Sequence, residues 1–292
     1  MASTVAKNKK KLSKRVTAAI ITVFLWAFAA FWFAPIFWML STSMKSTTLA
    51  VIETPPQWIP NNPTLENYKI IFAPSGGLSL IKATLNSVIV AVSSTLATLM
   101  LSVPAAYALS RLRFRGRMFI FWMYVAVLAF PAVLFLIPHF FIINGMGLTN
   151  SYLALILPGL GGTFGVFLLR QYMLDIPKEL EDAAWIDGCS KFRFLISIVI
   201  PYIKPAMLVL SLMTFLGSWN SFLWPLLILS KADKFTLPIA LIRFSAGWGD
   251  PYRGIGPMMA GAFFSVAPSL IIFIAFHRYL MKGISLGSLG KE

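Results

Sequence analysis

Five stretches of this 292-residue chain contain no Asp, Glu, Lys or Arg. They hold 29 residues between Arg15 and Lys45, 28 between Lys82 and Arg111, 52 between Arg117 and Arg170, 26 between Lys204 and Lys231, and 24 between Arg253 and Arg278. A membrane-spanning helix needs about 20 mostly apolar residues, and a charge at its centre costs roughly 2.5–3.5 kcal/mol. Four stretches therefore predict one span each. The longest predicts two, divided at the turn-rich Asn144-Gly-Met-Gly-Leu-Thr-Asn150. The expected spans lie near 17–42, 83–110, 118–143, 152–172, 205–230 and 258–280. A soluble domain is excluded on the same ground, because charged residues are 12% of the chain against about 25% in globular proteins.

The apolar runs are continuous, whereas barrel strands alternate over about ten residues. In hydrocarbon an unbroken run satisfies its backbone only as a helix. The net charge of +15 would suit nucleic acid if it formed a solvated patch, but here it lies between apolar stretches, and nucleic acid is not expected as a partner. The basic residues report orientation instead. With six spans both termini share one side, which collects 18 basic residues: six before the first span, four in 111–117, five in 170–204 and three after the last span. The other side has seven, so the positive-inside rule puts both termini in the cytoplasm. By the same rule the 111–117 arginines are topological signals before they are a lipid or partner site. Residues 1–15 form a basic cytoplasmic segment, 16–280 the transmembrane domain and 281–292 a cytoplasmic tail. The run after Arg15 is too long for the 7–15 apolar residues of a signal peptide, so it reads as a retained span. One cysteine, Cys189, and two distant histidines, His139 and His277, predict neither disulfides nor a metal site.

One segment does not belong in lipid. Residues 173–204 are the longest cytoplasmic connection and hold five of the ten acids: Asp175, Glu179, Glu181, Asp182 and Asp187. Pro177 suits the first turn of a helix, and acids at 179, 181 and 182 favour its positive end. Leu180, Ala183 and Ala184 make a narrow apolar face, and Gly188 can end the helix in the left-handed conformation. Ser190 is a candidate N-cap for a second helix through Phe192, Phe194 and Ile198 towards Pro201. On physical grounds this is a short helix across the cytoplasmic face, either docked on a partner or serving as a solvated connector.

Glu179-Leu-Glu-Asp-Ala-Ala-Trp-Ile-Asp-Gly188 followed by Ile198-Val-Ile-Pro201 resembles the EAA loop of bacterial ABC-importer permeases. The spacing matches throughout, with Asp182 in place of Glu, Cys189 in place of Ala and Ile200 in place of Leu. Phe167-Leu-Leu-Arg-Gln171, Trp219-Asn-Ser-Phe-Leu-Trp-Pro-Leu226, Pro63-Thr-Leu-Glu-Asn-Tyr68 and Arg278-Tyr-Leu-Met-Lys-Gly283 extend the likeness. The chain is similar, over about 16–290, to sugar-importer permeases of the maltose-permease type, on the smaller-subunit side. The resemblance implies an all-α integral membrane protein with six transmembrane helices and a cytoplasmic coupling helix, the type I ABC-importer permease fold. It also implies a bacterial inner-membrane location, a second permease as heterodimer partner, two ATPase subunits, an extracytoplasmic sugar-binding protein and surrounding lipid.

The chain contains no Gly-x-x-x-x-Gly-Lys-Ser/Thr loop, so it is not expected to hydrolyse ATP itself; as a transport subunit it is expected to be no enzyme and to hold no cofactor. ATP and Mg are expected on the partner ATPases. The resemblance seats the 177–189 helix in a groove on one of them, with Glu179, Glu181, Asp182, Ala183, Ala184, Asp187 and Gly188 as coupling residues and rigid-body rotation of the attached spans. Asn86, Trp219 and Asn220 are candidates for the substrate pathway, since polar groups within spans face the bundle interior; interhelical hydrogen bonding is the alternative. Gly159, Gly161, Gly162 and Gly165 read first as close helix packing. In the external segment 231–257, Arg243, Trp248, Asp250 and Arg253 are candidates for binding-protein contact. A secondary transporter or channel subunit is the alternative class, although no internal repeat or filter sequence is evident.

Overall fold

The computed structural model describes residues 2–46, 55, 57–73, 79–246 and 254–286. Among these residues there is no strand. The helices are α1 (Ala2–Ser43), α2 (Glu66–Phe72), α3 (Leu80–Arg111), α4 (Arg117–Leu128), α5 (Leu136–Gly145), α6 (Tyr152–Ile156), α7 (Thr163–Leu174), α8 (Lys178–Ile186), α9 (Lys191–Trp219), α10 (Leu223–Ile228), α11 (Leu237–Ala246) and α12 (Ile255–Leu286). Four apolar stretches are long enough to cross a bilayer: Val16–Ser43, Leu80–Arg111, Lys191–Trp219 and Ile255–Phe276. Two bent pairs, Arg117–Leu128 with Ala132–Gly145 and Tyr152–Gly161 with Thr163–Leu174, raise the number to six if each pair is one span.

Both bends have a covalent cause. The first pair turns by 98° at Ala129-Phe130-Pro131, where proline has no N–H to give and forces the preceding residue away from helical geometry. The second turns by 44° after a 3₁₀ stretch, Leu157–Gly161, and Gly162 takes φ +33°. The span expected near 118–143 is thus replaced by two helices bent sharply against each other.

The fifth apolar helix differs more from expectation. The sequence places a short helix towards Pro201 and then a span at 205–230. Instead, one helix, α9, runs through both Pro201 and Pro205 and stops at Trp219. It passes the first proline through a π turn at Leu195–Val199, where Ile200 N–H reaches back five residues to Leu195 O. A proline ring clashes with the carbonyl four residues back, here Ser197, which lies inside this widened turn. Residues 220–222 break the chain again before α10.

The chain divides into two compact units. In the first, residues 1–73 with 245–264, Asn67 Nδ2 donates to Ser43 O at 2.9 Å and Lys45 O at 2.6 Å, tying α2 to the end of α1. Gly256 lets α12 approach, since a Cβ there would stand 2.7 Å from Asn67 Oδ1. The apolar stretch of α1 has no buried residue in its 18-residue window, and its Phe and Trp side chains form an exposed apolar surface.

In the second unit, residues 74–244 with 265–292, α3 packs on α7 and α9 around Ala106, Tyr107, Leu169, Met173, Phe194, Val199, Ile203 and Ala206. Lipid tails are as apolar as these side chains, so van der Waals fit rather than hydrophobic transfer holds the bundle, and small residues let the backbones close up. Gly165 is such a residue: a Cβ there would lie 2.7 Å from Ser102 Oγ and 3.0 Å from Leu210 Cδ2. Gly165→Val is expected to lower stability by about 1–3 kcal/mol through overpacking, read as a lower thermal unfolding midpoint in detergent.

Candidate functional site

Helix α8 is entered from Pro177, which stands at the cap in extended geometry (φ −55°, ψ 140°) rather than inside the first turn. The exit is a Schellman turn. Cys189 N–H bonds Ala184 O at 2.9 Å, Gly188 N–H bonds Trp185 O at 3.1 Å, and Gly188 takes φ +72°. Ser190 then caps α9, its Oγ accepting from Arg193 N–H at 3.3 Å.

The seven candidate coupling residues fall on two sides of α8 and its exit turn. Ala184 is buried and Glu181 half-buried, both against the chain's own core. Glu179, Asp182, Ala183, Asp187 and Gly188 are exposed, with Leu180 and Ile186 beside them. Ile186 is 86% exposed, an unusual position for a large apolar side chain on an otherwise charged surface. The 180/183/184 face drawn from the sequence is therefore split, with Leu180 and Ala183 outward and Ala184 inward.

What seats α8 is an arginine that sequence reasoning grouped with the topological signals. Arg111, at the last residue of α3, has a side chain only 6% exposed. Its Nη1 meets Glu181 Oε2 at 3.0 Å, its Nε donates to Met173 O at 3.0 Å, and its Nη2 donates to Met173 O and to Ile176 O. One guanidinium thus holds Met173 O in the last turn of α7 and Ile176 O in the segment that follows, and binds the acid of α8. Nearby, Arg170 Nε donates to Leu109 O at 3.1 Å while its guanidinium lies 3.7 Å from the centroid of the Phe121 ring. Nothing in the pattern Arg-x-Arg-x-Arg-x-Arg distinguished Arg111 from its neighbours except its place directly after an apolar run. Arg111→Ala leaves several polar groups without a partner, each charged hydrogen bond contributing about 1.5–3 kcal/mol. Amide hydrogen exchange across 173–186 is expected to accelerate at least tenfold.

The three helix breaks border a cleft and a smaller chamber that adjoins it. A cavity of about 630 Å³ is lined by Phe130, Phe135 and His139 from the first bent pair, Pro158, Gly159 and 161–165 from the second, Thr98 of α3, and Leu210, Met213 and Thr214 of α9. A smaller chamber of about 180 Å³ shares Thr98, Gly159 and Thr214 with it and adds Ser94, Ser218, Ser221, Trp224 and Thr236. The helical signal for this was present in α3, where Ser87, Ser94, Thr98 and Ser102 share the buried face.

None of the three pathway candidates lines either cavity. Asn86, 3% exposed, spends both amide hydrogens on Asp233 O and Phe235 O, at 3.0 and 2.9 Å, and accepts from the Tyr152 hydroxyl at 2.7 Å. Trp219 is 2% exposed and donates Nε1–H to Ser265 O at 3.1 Å. Asn220 is exposed at the C-cap of α9, bonded to Leu216 O of its own helix. Their polarity serves to fasten and end helices. Asn86→Leu would strand the buried Phe235 carbonyl and the part-buried Asp233 carbonyl and Tyr152 hydroxyl, at about 1–3 kcal/mol for each group left buried and unsatisfied. Its thermal midpoint in detergent is expected to fall, with surviving protein keeping its substrate affinity.

Arg243 lies exposed near the end of α11, its guanidinium 6.0 Å from the centroid of the Phe235 ring. Trp248, Asp250 and Arg253 lie outside the described residues. Among the described residues no group of three or more His, Cys, Asp or Glu could hold a metal ion.

The family model for the inner membrane component of binding-protein-dependent transport systems matches residues 99–286, which include α8 and all of the cleft lining except Thr98. The chain belongs to this family. It is a transport permease subunit and not an enzyme. Among its relatives, the arabinooligosaccharides transport system permease protein AraQ of Bacillus subtilis is 32% identical over 91% of this permease and 94% of its own length. The sn-glycerol-3-phosphate transport system permease protein UgpE of Brucella melitensis is 32% identical over 86% of this chain and 89% of its own. The fold is shared with a chain of a bacterial ABC transporter that imports the acidic polysaccharide alginate, at a TM-score of 0.78, 24% identity and coverage of 91% of this permease and 97% of that chain.

Proposed function

We propose that this permease forms half of the translocation pathway of an ATP-driven importer for a sugar or oligosaccharide. Relatives named for oligosaccharide and polyol-phosphate transport support the substrate class. In this reading the chain crosses the bacterial inner membrane six times with both termini cytoplasmic. Each bent pair counts as one span, and the charge asymmetry sets the direction. It pairs with a second permease and two ATPase subunits that carry ATP and Mg, and receives substrate from an extracytoplasmic binding protein near Arg243, Trp248, Asp250 and Arg253.

The observation that carries the coupling role is the exposed face of α8. Leu180, Ala183 and Ile186 offer a short apolar strip flanked by Glu179, Asp182 and Asp187, on a helix held at both ends by apolar helices. That is a surface suited to a groove with a greasy floor and basic rims. Arg111 fastens α8 to α3 and α7, so a pull on it is delivered to the bundle as a rigid-body movement.

Gly188 is the point to test. A Cβ there meets nothing within 4 Å, yet φ is +72°. The left-handed conformation costs an L-residue roughly 1–2 kcal/mol, and a β-branched residue is a worse fit. Gly188→Val is expected to insert and assemble but to lose sugar uptake and substrate-stimulated ATP hydrolysis in proteoliposomes. Normal uptake by this variant would show that α8 does not couple hydrolysis to transport.

A further inference from the structure

The cleft between α3, α7, α9 and the first bent pair has no part in α8 docking, and its lining is chemically distinctive. We infer that it is a track for an uncharged saccharide, one without carboxylate, phosphate or sulfonate groups. This inference rests on the importer reading and narrows its substrate.

Four observations converge. First, the irregular backbone at 129–131, 157–162 and 220–222 contributes lining residues Phe130, Pro158, Gly159, Gly161, Gly162 and Ser221. Non-helical backbone at membrane depth is tolerated only inside protein or along a watered cavity, and broken helices mark substrate sites in other transporters. Second, Thr236, 4% exposed, lines the smaller chamber, and its Oγ1 makes no hydrogen bond. Buried polar groups are nearly always paired, so this hydroxyl is an unspent hydrogen-bonding group in the chamber wall. Ser94, Thr98, Thr214, Ser218 and Ser221 line the same chamber.

Third, aromatic rings step through the cleft into the chamber. Centroid distances are 6.5 Å from Phe130 to Phe135, 6.1 Å from Phe135 to His139 and 6.3 Å from His139 to Trp224. Such rings present flat apolar faces to the C–H faces of a sugar while the hydroxyls of the chamber meet its O–H groups. Fourth, among the described residues no Lys, Arg, Asp or Glu lines either cavity. An anionic group would lose its hydration there with no counter-charge from this chain, whereas a neutral saccharide exchanges one set of hydroxyl hydrogen bonds for another.

The test uses the assembled importer, with both permeases, its ATPase subunits and its binding protein, in proteoliposomes. Elution of each variant complex at the wild-type volume confirms assembly. Phe135→Leu and Thr236→Val are each expected to lower the sugar taken up per ATP hydrolysed at least fivefold. Phe135→Tyr restores it to within twofold of wild type. Phe141→Leu, an exposed aromatic on the same helix outside the lining, stays within twofold. A diazirine-bearing neutral oligosaccharide is expected to label peptides containing 130–139 and 214–224. If Phe135→Leu and Thr236→Val couple as Phe141→Leu does, and labelling falls elsewhere, the cleft is filled by lipid or the second permease and the track is refuted. If wild type takes up uronic-acid oligomers and no neutral sugar, the uncharged class is overturned while the importer stands. If no sugar drives uptake or hydrolysis, the importer reading fails first.

Discussion

Hydrocarbon offers a peptide group nothing to bond with, and every other feature of this permease follows from that constraint. Where the chain can remain helical it does so for 32 residues at a time, as in α3. Where proline or glycine interrupts it, the freed backbone needs protein or water nearby. The breaks at 129–131, 157–162 and 220–222 accordingly border shared space instead of scattering over the lipid-facing surface. The same pressure explains why α9 carries Pro201 and Pro205 without stopping: a π turn re-pairs Ile200 with Leu195 and keeps the helix intact.

Arg111 answers the same constraint at the edge of the bundle. The chain leaving α7 turns through carbonyls that no longer belong to a regular helix, and a single side chain from α3 reaches Met173 O in the last turn and Ile176 O just beyond it while pairing with Glu181. The result is a mechanical joint. Three elements that meet at the cytoplasmic end of the proposed topology are linked by one planar group whose donors are arranged as a fork. Tyr107 adds to the joint through its bond to Lys191 O at 3.2 Å, and Trp185 through its ring contact with Phe194 at 5.4 Å. A helix held this firmly on one side and charged on the other is suited to transmit a push.

The composition of the permease leaves its polar residues two kinds of work, fastening helices and lining space, and side-chain type does not separate them. Asn86 and Trp219 resemble pathway residues when read one at a time, but both are consumed by internal hydrogen bonds. Thr98, Thr214 and Thr236 resemble ordinary helix or loop residues, yet they line the cavities. What separates the two groups is whether a neighbouring carbonyl lies within reach, and that depends on how distant segments are placed.

Much of this molecule was legible in its residues. Five charge-free intervals dictate apolar helices because a charge in lipid is too costly to hide. Gly188 marks a helix end because only glycine adopts φ +72° without strain, and Ser190 marks a start because its hydroxyl can reach the N–H three residues on. These are local rules, complete within one turn of chain. The bend of 98° at Pro131, the length of α9 and the burial of Arg111 beside Glu181 were not legible in the same way. A proline permits either a kink or a bypass, and one arginine among four is chosen by the carbonyls it meets. The choice in each case is made by packing between helices far apart in the chain, and such contacts exist only once the bundle has assembled.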